Sequence, residues 1–199
     1  MMIVVTGPSG SGKSTILRHT MRDLRGVRFS VSHTTRVRRP SEKDGRDYHF
    51  VDRAEFERMV RRGAFVEWAV VHGELYGTSK REIADRSKGG DVILDIDVQG
   101  ARQVQALKLD AVFVFILPPA FKELKRRLAE RGEDKPAVID RRLKTARREI
   151  KDYARFDYIV INDRLDRAVL ELESIILAAR CRLAARKARV ATILRSFEA

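Results

Sequence analysis

Apolar residues along the chain occur either in short continuous runs or at helical spacing, and the two arrangements alternate. The runs "MMIVVT", "DVILDIDVQG", "AVFVFILPP" and "DYIVIND" are rich in β-branched residues, which predicts buried strands at 1–6, 91–100, 111–119 and 157–163. Helical spacing predicts helices at 14–24, 53–63, 101–108, 120–132 and 135–156, with one or two more from Leu165 onwards. Strands that alternate with helices indicate an α/β fold, in which a parallel sheet carries helices on both faces.

Two segments interrupt this alternation. Residues 32–88 contain two or three short predicted strands, among them "RDYHFV" and "FVEWAVV", together with one helix and many polar turns. This segment is predicted to be an insertion at the carboxyl edge of the sheet. The Arg-rich segment 124–147 is predicted to be a second, smaller and mobile element.

The segment between the first predicted strand and the first predicted helix is "GPSGSGKS". Gly7, Gly12, Lys13 and Ser14 satisfy the pattern G-x-x-x-x-G-K-[ST] in the strand, loop and helix context that the pattern requires. Glycines let backbone N–H groups approach phosphate oxygens, and the positive end of the helix dipole points to the same place. The pattern therefore predicts a nucleoside triphosphate site, with a purely structural Gly/Ser turn as the alternative.

The chain has 199 residues, which suggests one domain with or without insertions, and its net charge is +13. Such an excess of cations favours polyanionic partners, and a basic soluble surface is the alternative. The sequence has no apolar run of membrane-spanning length and no secretory signal, so we expect a cytoplasmic protein. Cys181 is the single cysteine, which excludes an internal disulfide and a cysteine-based metal site.

The segment "FSVSHTTRVRRPSEKDGRDYHF" concentrates phosphate-binding chemistry. Arg36, Arg38 and Arg39 can each bind a phosphate through two N–H donors, and the hydroxyl of Tyr48 can add another. A solvated basic loop is the alternative, which the neighbouring phosphate-binding loop makes weaker. The segment is therefore a candidate site for the phosphate of an acceptor substrate.

Glu67 lies in the apolar run "GAFVEWAVV", where a carboxylate needs donors because an unpaired buried charge is costly. One edge of a guanine base offers two donors, N1–H and the 2-amino group. Pairing with a nearby arginine is the alternative. Tyr76, Gly77 and Thr78 follow as a predicted turn that carries two hydroxyls.

Asp95 and Asp97 in "LDIDVQG" are predicted to close a strand with both carboxylates on one face, because the side chains of a strand alternate. Ligands of open α/β sheets bind at the carboxyl ends of the strands, so these acids can meet a base, a ribose or the shell of a Mg²⁺ ion. The alternative for Asp97 is capping of the helix that follows.

Six blocks of the sequence, in order, resemble guanylate kinases, and the resemblance covers nearly the whole chain. The blocks are "VVTGPSGSGKSTI", "FSVSHTTRVRRPSEKDGRDYHFV", "FVEWAVVHGELYGTS", "VILDIDVQGARQV", "LKRRLAERG" and "DYIVIND". The resemblance implies a P-loop NTPase core of residues 1–31, 89–123 and 148–199, a GMP-binding domain at 32–88 and a lid at 124–147. It also implies the reaction of ATP with GMP to give ADP and GDP, with Mg²⁺ as the cofactor, in purine nucleotide metabolism.

The resemblance assigns roles at the matching positions. For phosphoryl transfer it implies Lys13, Arg127, Arg131 and Arg142. For ATP it implies the loop and one residue near the adenine: Gly7, Pro8, Ser9, Gly10, Ser11, Gly12, Lys13, Ser14, Thr15 and Asn162. For GMP or dGMP it implies a phosphate clamp and a set that binds the guanine: Arg36, Arg39, Tyr48 and Tyr76, then Ser32, Glu67, Thr78 and Asp95. The candidate Mg²⁺ ligands are Ser14 and, through water, Asp97.

The chain departs from the family pattern at Arg38, where a proline is common, so the clamp loop is predicted to be less rigid. The basic C-terminal helix is predicted to serve packing or self-association into a homo-oligomer, with RNA binding as the minor alternative.

Three rival functions have different expected signatures. A non-catalytic protein-binding module of this fold usually has a degraded phosphate loop, a ribose bisphosphate kinase does not need the guanine-binding set, and a nucleic-acid binder is expected to carry a recognisable motif. The intact loop and the guanine-binding set favour the kinase. No nucleic-acid or membrane partner is expected.

Overall fold

The computed structural model describes residues 1–71, 73–130 and 136–197. Along these residues the chain forms, in order, β1 (Met2–Thr6), α1 (Lys13–Asp23), β2 (Val27–Phe29), β3 (His33–Thr34), β4 (His49–Phe50), α2 (Arg53–Arg61), β5 (Phe65–Val71), β6 (Glu74–Ser79), α3 (Lys80–Ser87), β7 (Asp91–Asp95), α4 (Val98–Ala106), β8 (Ala111–Leu117), α5 (Phe121–Glu130), α6 (Pro136–Glu149), a 3-10 helix (Ile150–Arg155), β9 (Tyr158–Ile161), α7 (Leu165–Arg180) and α8 (Leu183–Phe197).

The main sheet has the strand order β2-β7-β1-β8-β9, and each neighbouring pair is parallel. Helices α1 and α7 cover one face, where Ile16 and Leu172 share a buried cluster with Ile3. Helix α4 covers the other face, where Ala101 shares a second cluster with Val4. A parallel sheet with helices on both faces confirms the predicted fold class.

Strand β1 occupies the centre of this sheet. Ile3 and Val4 are both fully buried although they point to opposite faces, because a helical layer covers each face. The strand ends at Thr6, whose hydroxyl donates to the carbonyl oxygen of Ile96 at 3.1 Å. Since the strands are parallel, the carboxyl ends of β1, β7 and β8 lie at the same edge of the sheet, where the glycine-rich loop begins.

The segment between β2 and β7 folds around a second sheet with the strand order β4-β3-β6-β5. Strands β5 and β6 form an antiparallel hairpin, while β3 pairs antiparallel with β6 and parallel with β4. Helix α2 packs on this sheet through Phe56, whose ring stacks on Phe65 at 4.6 Å between centroids. The expected division at residues 32–88 places this sheet in one unit, and that division remains a prediction.

Strand β6 contains the residues Tyr76, Gly77 and Thr78, which the sequence pattern predicted to be a turn. That prediction is wrong, because β6 is paired on both sides, with β5 and with β3, and the two ladders hold the segment extended. The pattern also missed β2, β3 and α3. The predicted strand "RDYHFV" is reduced to His49–Phe50.

The strand predicted to reach residue 100 ends at Asp95, and α4 begins at Val98. Asp97 is the N-cap of α4, and its Oδ1 accepts a hydrogen bond from the backbone N–H of Gly100 at 2.9 Å. The capping alternative for Asp97 is therefore correct, and the prediction that it shares a strand face with Asp95 is wrong.

Helices α5 and α6 correspond to the two basic helices that were predicted at 120–132 and 135–156. The second of them ends at Glu149 and passes into the 3-10 helix, so the single helix predicted over 135–156 is wrong in its last turns. Leu124, Leu128 and Leu143 bury a small apolar cluster between α5 and α6. Arg131 lies outside the described residues.

Helix α8 at the carboxyl end buries none of its side chains. Within the part of the chain that the structure describes, we find no helix whose length and apolarity would let it cross a membrane.

Candidate active site

The glycine-rich loop joins β1 to α1 and needs its glycines for two physical reasons. Gly7, Gly10 and Gly12 have φ angles of 151°, 89° and 93°, a region that side chains disfavour. In addition, a Cβ atom at Gly7 would lie 2.2 Å from the carbonyl oxygen of Ile116, and one at Gly12 would lie 2.1 Å from Nδ2 of Asn162. The loop is therefore pressed against β8 and β9 and leaves its N–H groups at the start of α1.

Lys13 is the first residue of α1, and its side chain returns across the loop. Its Nζ donates to the carbonyl oxygen of Gly7 at 2.6 Å and lies 4.0 Å from Oδ1 of Asp95. Burial raises the pKa of the Asp95 carboxyl, and the charge of Lys13 opposes that rise. The lysine thus stands between the loop and the acid at the end of β7, while the side chain of Ser14 is exposed in the first turn of α1.

Two side chains from other elements hold the glycine-rich loop by hydrogen bonds: Asn162, which follows β9, and Arg127, on α5. Asn162 is buried, and its Nδ2 donates to the carbonyl oxygen of Ser11 at 2.7 Å. Arg127 donates to the carbonyl oxygens of Ser11, at 3.4 Å, and of Asn162, at 3.0 Å. The amide nitrogen of Asn162 is thus already bonded to the loop. A contact of Asn162 with an adenine remains a prediction.

The side chain of Arg36 is held by partners on two sides. Its Nε donates to the hydroxyl of Tyr76 at 3.2 Å, and its Nη2 donates to Oε1 of Glu42 at 2.7 Å. The guanidinium also lies 5.5 Å from the centroid of the Tyr48 ring. The backbone N–H of Arg39 donates to Oε2 of Glu42 at 2.9 Å. The predicted clamp residues Arg36, Tyr48 and Tyr76 therefore lie together, with Glu42 orienting the loop.

Glu42 is a site residue that the sequence pattern missed. Burial raises the pKa of its carboxyl, but the hydrogen bonds from Arg36 and Arg39 outweigh burial and hold that pKa below its usual value. The carboxylate therefore remains charged beside Arg36. Its position three residues after Arg39, in a polar loop rich in arginine and acidic residues, carries no signal that separates it from its neighbours.

Glu67 is 3% exposed, and its Oε1 is buried with no hydrogen-bond partner among the described residues. Burial raises the pKa of this carboxyl to about 7, with hydrogen bonds from Thr78 opposing the rise. A register shift in the pairing of β5 with β6 lies between Phe65 and Glu67. A bulge of this kind redirects side chains, and the Oε2 of Glu67 lies against Gly100, where β5 meets α4.

Gly100, in the first turn of α4, gives Glu67 the space it needs. A Cβ atom at Gly100 would lie 2.3 Å from Oε2 of Glu67. On the other side, the hydroxyls of Ser32 and Thr78 are 3.1 Å apart and share one hydrogen bond. The residues predicted to bind a guanine base thus come from the segment before β3, from β5 and β6, and, for Asp95, from the end of β7.

One cleft of about 450 Å³ brings most of the predicted residues together. The predicted residues that line it come from both sheets and from α6: Gly7, Ser9, Lys13, Ser32, Arg36, Arg39, Tyr48, Glu67, Tyr76, Asp95, Asp97 and Arg142. Glu42, Thr145 and Glu149 line it as well, without having been predicted. Thr78 lies behind Ser32, and Arg127 and Asn162 lie against the loop.

Glu149, at the end of α6, is a further carboxyl that lines this cleft, together with Asp95 and Asp97. Burial raises the pKa of Glu149, and the charge of Lys13 opposes that rise. Its place in a long basic helix gave no sequence signal, because an acid on such a helix usually lies on a solvated face. The cleft therefore pairs cations and acids from several elements around an opening of nucleotide size.

Glu67 predicts a specific dependence of stability on pH. Its pKa is about 7 in the folded chain and near the ordinary 4.5 in the unfolded chain, so the folded chain keeps a proton that the unfolded chain releases. The free energy of unfolding of the wild type is therefore expected to fall by about 3 kcal/mol as the pH rises from about 4.5 to 7. Glu67→Gln has no titrating carboxyl at this position and should not show this fall. Urea unfolding of wild type and Glu67→Gln between about pH 4.5 and 7 measures this difference in stability. Glu57→Gln is the control, because Glu57 is exposed on α2. Parallel profiles for wild type and Glu67→Gln would contradict the raised pKa.

Known proteins with a similar sequence or structure point to one family. A family model described as guanylate kinase matches residues 1–179, a range that ends before α8. A guanylate kinase of Dechloromonas aromatica is 49% identical over 193 residues, which are 96% of each chain. A guanylate kinase of Geobacter sulfurreducens is 48% identical over 185 residues, 92% of this chain and 91% of the relative. The crystal structure of guanylate kinase from Anaplasma phagocytophilum superimposes with a TM-score of 0.75 at 32% identity, over 92% of this chain and 87% of that one.

Proposed function

The chain belongs to the guanylate kinase family, and from this premise we propose that its cleft transfers the terminal phosphoryl group of ATP to GMP, which gives ADP and GDP. The observation that carries the proposal is the cleft itself, which is lined both by Lys13 of the phosphate-binding loop and by the buried acceptor of Glu67. The first fits a nucleoside triphosphate, and the second fits a base with donors on one edge.

On the acceptor side, we assign the phosphate of GMP to Arg36, Arg39, Tyr48 and Tyr76. Arg36 is supported by its fixed orientation between Tyr76 and Glu42. An incoming phosphate dianion finds a guanidinium and hydroxyls already in place, so little conformational freedom is lost on binding. The guanine base is assigned to Glu67, Ser32 and Asp95, with Thr78 orienting Ser32.

On the donor side, the loop and the start of α1 are assigned to the phosphates of ATP, with Lys13 at the transferring group. Lys13 must then exchange its bond to the Gly7 carbonyl for phosphate oxygens. Arg127 and Arg142 are assigned to the same phosphates, and Arg131 keeps this role as a prediction from the resemblance.

A Mg²⁺ ion fits the oxygen donors at this site, because hydroxyl and carboxylate groups are the ligands it prefers. Ser14 presents an exposed hydroxyl in the first turn of α1, whereas both carboxylate oxygens of Asp97 already accept hydrogen bonds, from Gly100 and Gln99. Asp97 therefore suits contact through water. No cluster of three His, Cys, Asp or Glu within the described ranges can enclose a metal ion, which fits an ion held mainly by ATP. When bound, Mg²⁺ neutralises charge on the β and γ phosphates.

The mechanism that follows is one of positioning and charge neutralisation. Phosphoryl transfer needs little covalent chemistry from the protein, and a GMP phosphate that is largely ionised needs no strong general base. The cations of the cleft bring two polyanions together, and closure over them excludes the water that would otherwise hydrolyse ATP.

We assign the lid to residues 124–147, which include most of α5 and most of α6. Their shared apolar cluster is small, and Arg142 on α6 lines the cleft. Amide hydrogen exchange in α5 and α6 is expected to be fast without nucleotide and slow with a bisubstrate analogue, since the arginines gain phosphate partners only then. An exchange rate in α6 that does not respond to the analogue would contradict a lid.

Replacing Arg36 is expected to affect GMP much more than ATP. Arg36→Met removes a charge-assisted contact, so the KM for GMP should rise by roughly 10- to 150-fold while the KM for ATP changes little. Arg38→Met is the matched control, because Arg38 is exposed in the same loop and donates to a backbone carbonyl. Equal increases for both substrates would place Arg36 elsewhere in the mechanism.

The function itself is tested by an assay coupled to ADP release. GMP, dGMP, AMP, CMP, UMP and ribose bisphosphate are offered as acceptors in turn, each with ATP and Mg²⁺. Turnover with GMP alone or with GMP and dGMP supports the proposal. Turnover with ribose bisphosphate would favour the sugar-phosphate kinase, and absence of turnover with every acceptor would favour a binding module of this fold.

A further inference from the structure

The outer edge of β5 is covered by a side chain rather than by another strand. Strand β5 is an edge of the second sheet, and its free edge faces α4. The side-chain amide of Gln103 on α4 donates from Nε2 to the carbonyl oxygen of Trp68 at 2.6 Å. Its Oε1 accepts from the backbone N–H of Trp68 at 3.1 Å. One glutamine thus makes both hydrogen bonds that a neighbouring strand would make to this residue.

A second amide of α4 extends this contact. Gln99 lies one turn before Gln103, and its Nε2 donates to the carbonyl oxygen of Val70 at 3.3 Å. Residues 68 and 70 have the same orientation along β5, because a strand repeats every two residues. The amides of α4 therefore hold two successive backbone groups on one edge of β5.

The position of this contact matters because Glu67 immediately precedes Trp68. The carboxylate of Glu67 lies over Gly100, where a single added carbon would come within 2.3 Å of Oε2. A shift of β5 along α4 by even a fraction of an ångström would therefore either press Glu67 against α4 or withdraw its free oxygen from the cleft. The register of β5 on α4 sets the place of the guanine acceptor.

We propose that Gln103 is a positioning residue for base selection, which holds β5 in the register that directs Glu67 at the guanine edge. This inference rests on the proposed function, because it presupposes that Glu67 binds guanine. Gln103 does not touch the nucleotide. It acts through the backbone of Trp68, and its loss is felt at the base and not at the phosphates of ATP.

The first test is Gln103→Met, which keeps the length of the side chain and removes both hydrogen bonds. GMP and IMP are compared as acceptors, since the base of IMP lacks the 2-amino group that Glu67 is proposed to bind. The KM for GMP is expected to rise about tenfold, and the preference for GMP over IMP in kcat/KM to fall about tenfold. The KM for ATP should stay unchanged.

Gln105→Met is the matched control. Gln105 lies on the same helix, but its side chain donates to the carbonyl oxygen of Arg155 in the 3-10 helix, at 2.6 Å, and not to β5. Its replacement is expected to leave the preference for GMP over IMP unchanged. A preference that falls equally in both variants, or in neither, would overturn the positioning role.

A second variant, Gln103→Glu, separates the hydrogen bonds from the bulk of the side chain. A charged carboxylate faces the Trp68 carbonyl with an acceptor, whereas a protonated carboxyl presents one donor and one acceptor, as the amide does. The ionisable groups on the joined elements, Glu67, Asp97 and Arg102 with its partner Asp152, are the same in wild type. Dividing each variant value by the wild-type value at the same pH therefore removes the part of their titration that both proteins share.

The preference of Gln103→Glu for GMP over IMP, relative to wild type, is expected to recover as the pH is lowered from about 8 to about 4.5, because the ordinary pKa of a glutamic acid side chain is about 4.3 and the carboxyl takes up its proton only near that pH. A relative deficit that stays constant over this range would overturn the hydrogen-bonding role. Wild type is measured first, and if it uses IMP as well as GMP, the proposed base selection by Glu67 fails and this inference fails with it. A wild type that prefers GMP beside unaffected Gln103 variants would overturn the inference alone.

Discussion

Lys13→Ala is expected to lower kcat by at least about 100-fold, which is the loss seen when one preorganised donor to a developing charge is removed. The structure holds Nζ at the mouth of the loop, 2.6 Å from the Gly7 carbonyl and beside Asp95, so the charge is already positioned for the phosphates. The fold should remain intact, because the bond to the loop is short-range and no apolar core is disturbed. Steady-state kinetics with a parallel thermal unfolding curve measures both.

Lys187→Ala is the control for charge alone. Lys187 lies on α8, where no residue is buried, so its replacement lowers the net charge by the same amount without touching the cleft. Turnover near the wild-type value in Lys13→Ala would remove the lysine from the transfer step. A large loss in Lys187→Ala would mean that net charge, not position, controls the rate.

A preference for GMP over AMP of about 10⁴–10⁵ in kcat/KM is the second large effect expected, since a site built on buried polar partners rejects a base that leaves them unpaired. Adenine presents a lone pair at N1 and no donor at C2, so the buried Oε1 of Glu67 would face an acceptor and stay without a hydrogen bond. Glu67→Gln replaces one acceptor by a donor. It should reduce activity with GMP and narrow the gap to AMP.

Glu57→Gln is the control, because Glu57 is exposed on α2, in the same segment between β2 and β7. The measurement is kcat/KM for both nucleotides in the three proteins. An unchanged ratio in Glu67→Gln would assign base selection to Ser32 or Asp95 instead. Equal use of the two nucleotides by wild type would reject guanine selection altogether.

The phosphate-binding loop is predictable from sequence because its chemistry fixes its spacing. Backbone groups can approach phosphates only where side chains are absent, and the positive φ angles of Gly10 and Gly12 show why these positions are glycine. The sheet is predictable for a similar reason, since a strand buried on both faces needs a continuous apolar run such as β1.

Asp97 shows where two local rules compete. Strand alternation and helix capping both suit an aspartate at this position, and the outcome depends on where β7 loses its partner. The pairing of β1 with β7 ends at Val5 and Asp95, so the chain is free to turn and Asp97 becomes a cap. The residue at which β7 ends depends on the length of its partner β1, so the sequence around Asp97 does not predict it.

Gln103 and Glu42 could not be found from sequence because their roles arise from contacts between distant segments. Gln103 is a polar residue on a helix, and only the packing of β5 against α4 brings Trp68 to it, 35 positions away in the chain. Glu42 resembles its exposed neighbours until Arg36 closes over it. Contacts of this kind, between side chains and segments at irregular distances along the chain, produce no periodic pattern in the sequence.

The central place of β1 has a consequence for how the chain is made. Its partners in the sheet are β7 at Asp91–Asp95 and β8 at Ala111–Leu117, so β1 leaves the ribosome well before either neighbour has been synthesised. At about 5–20 residues per second this interval lasts on the order of ten seconds, during which an apolar strand has both edges open. The second sheet joins segments close in the chain and can form meanwhile. The strand that carries the nucleotide loop is thus paired long after it is synthesised, and during that interval its open edges can pair with other chains.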